Sequence, residues 1–209
     1  MIEATRDIAT LTNLAREIRR TIVQITTQAG SGHPSTSLSM VELIVPLYFG
    51  GLLRHDPRNP NWPDRDRFIL SKGHGAPALY TVLAMRGYYE IDLLSTLRQM
   101  NSPLEGHPNM ARVPGVEAST GSLGQGLSLG VGHALAARLD QRGYHTYVMI
   151  GDGESEEGQV WEAAMAASKY SLDNLTAILD YNKYQQTGPV ARVMPIEPVK
   201  ERWSAFGWH

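Results

Sequence analysis

The spacing of apolar residues predicts helices that alternate with short strands. Apolar side chains recur at helical spacing between residues 6 and 29, and this segment stops at Gly30. Further helices are predicted near 36–49, 76–87, 91–100, 123–139, 157–170 and 197–206. Short oily runs predict strands at 67–75, 144–150 and 175–181, the first of them running into a glycine-rich turn. This alternation predicts an α/β fold, a parallel sheet with helices on both faces.

Oxygen-bearing residues follow two of the predicted strands. "YHTYVMI" runs into Gly151-Asp152-Gly153, and "LTAILDY" runs into Asn182. The two strands and the helix between them form a βαβ unit, so their carboxyl ends meet at one edge of the sheet, where open α/β folds bind ligands. A carboxylate and an amide oxygen suit Mg²⁺ or Ca²⁺ rather than zinc. Mg²⁺ commonly completes its coordination with water and the phosphate of a substrate. The helix that begins near Glu157 offers its N-terminal amides to the same phosphate, so we expect a metal-bridged phosphate or diphosphate site.

Composition excludes several classes of protein. The chain of 209 residues is predicted to form one domain over 1–209. Its 19 Lys and Arg against 21 Asp and Glu give a net charge of −2, with no electrostatic reason to bind nucleic acid or an anionic membrane. There is no cysteine, no apolar run of the ~18 residues that span a bilayer, and no signal-peptide pattern in "MIEATRDIATLTNL". A cytoplasmic location is the expectation.

Competing motifs fail on their context. "GLSLG" at 126–130 fits the nucleophile elbow of serine hydrolases, but it lies inside a predicted helix instead of joining a strand to a helix. "GSGHPS" lacks the third glycine of a dinucleotide fingerprint and follows a helix, and no phosphate-binding P-loop occurs. Asp152 alone fits a simple turn, and Glu157 and Glu162 fit a solvated helix face.

The seven histidines divide into two groups. Three of them stand beside Gly or Pro in separate loops, which favours a functional role: His33, His74 and His107. The other four sit in no motif and are interpreted as structural: His55, His133, His145 and His209.

Five motifs follow one another along the chain: "SGHPSTSLS", "LSKGHG", "EGHPN", "TGSLGQGLSLG" and "GDGESEEGQVWEA". In these motifs and in their order, the chain resembles the N-terminal, diphosphate-binding half of transketolase. GDG followed about thirty residues later by Asn is the thiamine-diphosphate motif. The chain is closer to this family than to deoxyxylulose-phosphate synthases or pyruvate-dehydrogenase subunits. The resemblance implies the thiamine-diphosphate-binding fold of the PP type.

The resemblance also implies the roles of individual residues. Mg²⁺ (or Ca²⁺) would be held by Asp152, Asn182 and the backbone carbonyl of Tyr184. Thiamine diphosphate would be contacted by His74, by Gly151 and Gly153 of the GDG motif, and by the backbone of Gly121 and Leu123. His33 and His107 would line the donor channel and shuttle protons. Glu157 and Glu162 would tie the active site to the subunit interface, where Glu157 meets the partner's activating glutamate.

The implied reaction moves a two-carbon ketol unit from a ketose phosphate to an aldose phosphate, with the carbanion chemistry supplied by the cofactor. We expect a second chain, because the pyrimidine-binding domain of the family is absent, and a dimer or heterotetramer as the assembly. We also expect a truncation at the C-terminal end, since the family continues beyond "WSAFGWH".

The segment after Asn182 departs from the family. Gln185, Gln186 and Thr187 stand where an apolar residue and an aspartate are common. Two alternatives therefore stay open. One is another thiamine-diphosphate-dependent ketol transferase or synthase chain, which would act on an unusual sugar phosphate. The other is a non-catalytic cofactor-binding subunit.

Overall fold

The computed structural model describes residues 4–209, and residues 1–3 of the predicted domain lie outside the described part. The chain divides into two units, the first made of the residues up to Asp66 together with Gly73–Gly121. The second unit consists of Arg67–Lys72 and Ser122–His209. The expectation of a single domain over 1–209 stays a prediction.

The first unit is helical. Its helices are α1 (Ile8–Ala29), α2 (Pro34–Ser39), α3 (Val41–Phe49) and α4 (Ala76–Arg86), with 3₁₀ helices at Gly73–Gly75 and Ile91–Thr96. The carboxylate of Asp7 caps α1 by accepting the Thr10 N–H at 2.8 Å. Ile18 and Ile22 are fully buried, and α1 packs on α3 and α4. The predicted amphipathic helix is therefore confirmed.

Two helix predictions in this unit were wrong in extent. The segment 36–49 is divided at Met40 into α2 and α3. The Ser39 hydroxyl donates to the Thr36 carbonyl at 3.0 Å, which competes with the regular helical ladder there. The segment 91–100 holds only the 3₁₀ helix, because Leu97 has a non-helical ψ of 124° and Arg98 has a positive φ of 58°.

The second unit contains the sheet. Its main elements are β1 (Arg67–Leu70), α5 (Gln125–Leu139), β2 (Thr146–Gly151), α6 (Gly158–Lys169) and β3 (Leu175–Asp180). The strands pair in parallel in the order β1-β2-β3, with Gly151 opposite Asp180. Helix α5 packs on all three strands and on α6. Gly130 allows the close approach to β2, since a Cβ there would lie 2.4 Å from Cγ2 of Val148. The predicted α/β fold with a parallel sheet is confirmed.

The chain beyond the sheet forms small elements. A hairpin of β4 (Tyr184–Gln185) and β5 (Gly188–Pro189) is followed by α7 (Val190–Val193) and α8 (Val199–Ala205). The hairpin was not predicted, whereas α8 lies inside the predicted helix at 197–206.

An aromatic cluster joins α8 to α6. Its ring centroids lie 5.1–5.4 Å apart, and its members are Trp161, Trp203, Phe206 and Trp208. The Trp161 indole N–H donates to the carbonyl of Ser155 at 2.9 Å. No helix among residues 4–209 is long and apolar enough to cross a membrane.

Candidate functional site

Asp152 lies directly after β2 and is only 2% exposed. Its Oδ1 accepts the Gly153 N–H at 2.8 Å, and its Oδ2 accepts the Lys183 N–H at 2.5 Å. The second bond ties Asp152 to the loop after β3, which is the loop that holds Asn182. The structure thus brings together the ends of the two strands, as the βαβ spacing predicted.

Burial raises the pKa of the Asp152 carboxyl, and the Gly153 and Lys183 N–H groups offset only part of this effect. Nearby Asp180 raises the same pKa further, while Lys72 lowers it. A buried carboxylate in such surroundings gains from a neighbouring cation.

The backbone of Tyr184 is bonded to the side chain of Asn182. The Tyr184 N–H donates to Asn182 Oδ1 at 2.8 Å. In the hairpin, Tyr184 stands opposite Pro189. The neighbouring pair is Lys183 and Val190, in which the Val190 N–H donates to the Lys183 carbonyl at 3.0 Å. Because hydrogen-bonded pairs alternate in an antiparallel ladder, the Tyr184 carbonyl points away from β5, on the same edge as its N–H. A carboxylate, an amide oxygen and a carbonyl therefore border one loop, a donor set that suits Mg²⁺ or Ca²⁺.

Sequence reasoning missed a buried ion pair in this unit. Lys72, 1% exposed, donates to Asp180, which is 4% exposed and lies opposite Gly151 in the sheet. Asp152 and Glu154 are buried in the same unit as Asp180. A cation beside these buried carboxylates would be favoured electrostatically. The sequence signal that could have revealed Lys72 is the position of this lysine at the end of the buried run "RFILSK".

Glu154 was also missed. It is 2% exposed, and burial raises its pKa, while hydrogen bonds from Ser71, Gly151 and Gly124 act in the opposite direction. Its place inside the GDGES motif was the only sequence signal, and periodicity does not separate it from the exposed glutamates that follow.

Other predicted residues of the second unit surround the GDG turn. Gly153 gives its N–H to Asp152, and a Cβ on Gly153 would lie 3.0 Å from Cβ of Gln185. The Gln185 amide in turn donates to Glu156 at 2.7 Å. Leu123 is half-buried and precedes Gly124, which contacts Glu154.

Glu157 and Glu162 are exposed. Glu157 is the N-cap residue of α6, and its Cβ would be 2.8 Å from a Cβ on Gly124. The role of both residues at a subunit interface stays a prediction. Across residues 4–209, no group of three or more His, Asp or Glu side chains forms a metal cluster. A metal at Asp152 therefore depends on amide and carbonyl oxygens as well.

The first unit gathers the three motif histidines. The rings of His33 and His74 meet edge to face at 5.6 Å. A Cβ on Gly121 would lie 2.8 Å from Cδ2 of His107, and one on Gly73 would lie 2.7 Å from the Gly121 nitrogen. Burial lowers the pKa of His107, and the charges of His33 and Arg98 lower it further. His33 therefore lies beside the "GHG" loop, and that loop and the "EGH" loop both meet the backbone of Gly121.

Tyr80 of α4 supports the His107 loop and was not predicted. Its buried hydroxyl lies 3.0 Å from the carbonyl oxygens of both Glu105 and His107. In contrast, His55 bonds Tyr88 and Tyr48, and His145 bonds Thr176, which agrees with structural roles for these histidines.

Comparisons with known proteins agree with this geometry. The family profile described as transketolase, thiamine diphosphate binding domain, matches residues 10–209. The chain is 49% identical over 199 residues to the 6-deoxy-6-sulfo-D-fructose transketolase subunit SqwG of Clostridium sp. (strain MSTE9), covering 95% of this chain and 72% of that protein. It is 44% identical over 201 residues to a subunit of the apulose-4-phosphate transketolase of Phocaeicola vulgatus, covering 96% and 71%.

A solved transketolase from Campylobacter jejuni superposes with a TM-score of 0.90 at 35% identity, covering 96% of this chain and 32% of that one. The chain thus spans about a third of that transketolase. It belongs to the transketolase family and constitutes the N-terminal thiamine-diphosphate-binding domain.

Proposed function

We propose that the chain is the cofactor-binding subunit of a split transketolase, which transfers a two-carbon ketol unit from a ketose phosphate to an aldose phosphate. The observation that carries this proposal is the meeting of Asp152 with the Asn182 loop at the ends of adjacent parallel strands. Support also comes from two relatives that are named as transketolase subunits and are covered over about 70% of their length.

Asp152, Asn182 and the Tyr184 carbonyl would hold Mg²⁺ (or Ca²⁺), with the remaining positions open to water and a diphosphate. The burial of the Asp152 carboxylate close to Asp180 supports a cation there. Gly151, Gly153, Gly121 and Leu123 would contact thiamine diphosphate through backbone groups, and His74 through its ring. When bound, this cofactor supplies the carbanion chemistry of the reaction.

His33 and His107 would bind the donor hydroxyls and move protons. The lowered pKa of His107 keeps its imidazole neutral at neutral pH, so that it can accept a proton. Burial, the charge of His33 and the charge of Arg98 lower the pKa of His107 and so favour its uncharged ring, while the Tyr80 hydroxyl holds the carbonyl of His107.

A second chain with the pyrimidine-binding domain would complete the active site, in a dimer or heterotetramer. Glu157, at the N-cap of α6, and Glu162, on α6, are exposed and would face that interface. Neither residue is buried by its own chain, which supports a role toward another one.

The test is a two-carbon transfer assay. This chain is mixed with a subunit that carries the pyrimidine-binding domain, thiamine diphosphate, Mg²⁺, xylulose 5-phosphate and ribose 5-phosphate, and a seven-carbon sugar phosphate is sought by mass. Formation of this product only with both chains present supports the proposal. A complex that binds the cofactor and cleaves no ketose donor would instead identify a non-catalytic subunit.

A second candidate is a ketol transferase for a different sugar. The two subunit relatives are named for different sugars, 6-deoxy-6-sulfo-D-fructose and apulose 4-phosphate. The segment that departs from the family, Gln185–Thr187, lies against Gly153 through Gln185. Offering both of these sugars as donors in the same assay distinguishes the two candidates by the product formed.

A further inference from the structure

Glu154 is a buried carboxylate to which three donors converge. Its Oε1 accepts the Ser71 hydroxyl at 2.5 Å and the Gly124 N–H at 2.9 Å, and its Oε2 accepts the Gly151 N–H at 3.0 Å. Burial of an uncompensated carboxylate is costly, so each of these bonds stabilises the side chain in one position.

The three donors come from segments far apart in sequence. Ser71 follows β1, Gly124 precedes α5, and Gly151 ends β2. The packing around this junction is tight, since a Cβ on Gly126 would lie 2.3 Å from the Ser71 Oγ. The Ser155 hydroxyl also returns to the Gly151 carbonyl at 3.1 Å. The junction therefore fixes both peptide groups that flank the start of the GDG turn.

We propose that Glu154 is a positioning residue that holds the Gly151–Gly153 turn and the Leu123–Gly124 peptide in the geometry that the cofactor diphosphate and its metal require. This inference rests on the proposed cofactor role of Asp152, Gly153 and Leu123. Glu154 itself does not touch the ligand and acts through the two peptide groups that it binds.

The carboxylate is required chemically, because all three partners are donors. A carboxylate only accepts, whereas a glutamine would direct its own N–H groups at a backbone N–H. Glu154→Gln keeps the size of the side chain and leaves at least one buried donor unmatched. Ser71→Ala removes a single donor and keeps the carboxylate. Glu201→Gln is the matched control, since Glu201 is exposed on α8.

The experiment measures the dissociation constant for thiamine diphosphate with Mg²⁺ by calorimetry on the assembled complex. It also measures the shift in melting temperature that the cofactor produces. We expect Glu154→Gln to bind about tenfold more weakly, Ser71→Ala to bind more weakly by a smaller factor, and Glu201→Gln to match the wild type. The KM for the sugar donor at saturating cofactor should stay within about threefold, as Glu154 acts on the cofactor loops alone.

A purely structural role gives a different result. Glu154→Gln would then lower the melting temperature without cofactor, while the shift produced by the cofactor stayed as in the wild type. That outcome, or unchanged affinity in Ser71→Ala where Glu154→Gln does not fold, overturns the proposal. Failure of the wild-type complex itself to bind thiamine diphosphate with Mg²⁺ would overturn the proposed function, and with it this inference.

Discussion

The His107 imidazole rests directly on the backbone of Gly121. A Cβ at position 121 would lie 2.8 Å from Cδ2 of the ring, closer than side chains approach. Gly121 also has φ of 143°, a conformation that other residues rarely adopt. The glycine therefore sets the position of the ring as well as the path of its own loop.

Gly121→Ala should displace His107 while the protein stays folded. We expect two-carbon transfer to fall by a factor of roughly 100, since displacement by about 1 Å costs that much. The backbone strain should lower the free energy of unfolding by about 1–3 kcal/mol. Gly132→Ala is the control, because nothing lies within 4 Å of its added Cβ in α5. Equal activity of the two variants would contradict the proposed role of His107.

Tyr80→Phe should loosen the loop that carries His107. The carbonyls of Glu105 and His107 lose a shared donor, so we expect a loss of about 1–2 kcal/mol in urea unfolding and a lower kcat. Tyr144→Phe removes one hydroxyl bond to the carbonyl of His133 in the second unit. The Tyr144→Phe variant should lose about as much stability as Tyr80→Phe but keep its kcat. If kcat fell equally in both variants, Tyr80 would have no specific effect on His107.

The His107 ring should titrate below its ordinary pKa of about 6.5. The folded protein binds a proton at His107 less readily than the unfolded chain does. The free energy of unfolding is therefore unaffected by this group above pH 6.5, and it decreases as the pH falls from 6.5 toward the lower pKa of His107 in the folded protein. Arg98→Gln removes one of the causes and should raise the midpoint, measured from the imidazole proton by NMR. Arg16→Gln, at an exposed position of α1, should leave the midpoint unchanged.

Lys72→Met should destabilise the protein strongly. It removes the Lys72 ammonium group from the buried Asp180 carboxylate, so we expect a loss of about 3–5 kcal/mol in urea unfolding without cofactor. The double variant Lys72→Met/Asp180→Leu should recover part of this loss. Lys169→Met, at the exposed end of α6, should stay within about 0.5 kcal/mol of the wild type. No recovery in the double variant would argue against the ion pair as the source of the loss.

Asp152→Asn should abolish the effect of Mg²⁺ on cofactor binding. We expect the affinity for thiamine diphosphate with Mg²⁺ to fall by more than the roughly 10–100-fold that loss of an outer partner of a metal costs. Without Mg²⁺, the variant and the wild type should bind alike in calorimetry. The exposed Asp173→Asn serves as the control. Unchanged Mg²⁺ dependence in Asp152→Asn would exclude this carboxylate as a ligand.

The sheet and the convergence at Asp152 could be predicted because they follow from local order. Strand, helix and strand along the chain permit essentially one connection, and the ends of the strands must then lie at one edge. Likewise, Gly-flanked histidines mark loops that functional sites use.

The bonds of Glu154 and the pair of Lys72 with Asp180 could not be predicted in the same way. Glu154 lies 30 residues from Gly124 and 83 residues from Ser71, and Lys72 lies 108 residues from Asp180. The periodicity of a sequence does not record contacts between residues so far apart. The hairpin at Tyr184–Pro189 escaped notice because strands of two residues show no alternation. The division between α2 and α3 at Met40 lies next to the bond of the Ser39 hydroxyl to the Thr36 carbonyl, which apolar spacing does not register.

The aromatic cluster between α6 and α8 supplies an intrinsic fluorescence signal. Three of the four tryptophans lie in it, and the Trp161 indole is bonded to the carbonyl of Ser155, three residues after Asp152. Indoles that touch exchange excitation energy, so the cluster emits as a unit rather than as separate rings. Intrinsic fluorescence therefore reports on the segment next to the GDG turn, with Trp62 as the one tryptophan outside the cluster.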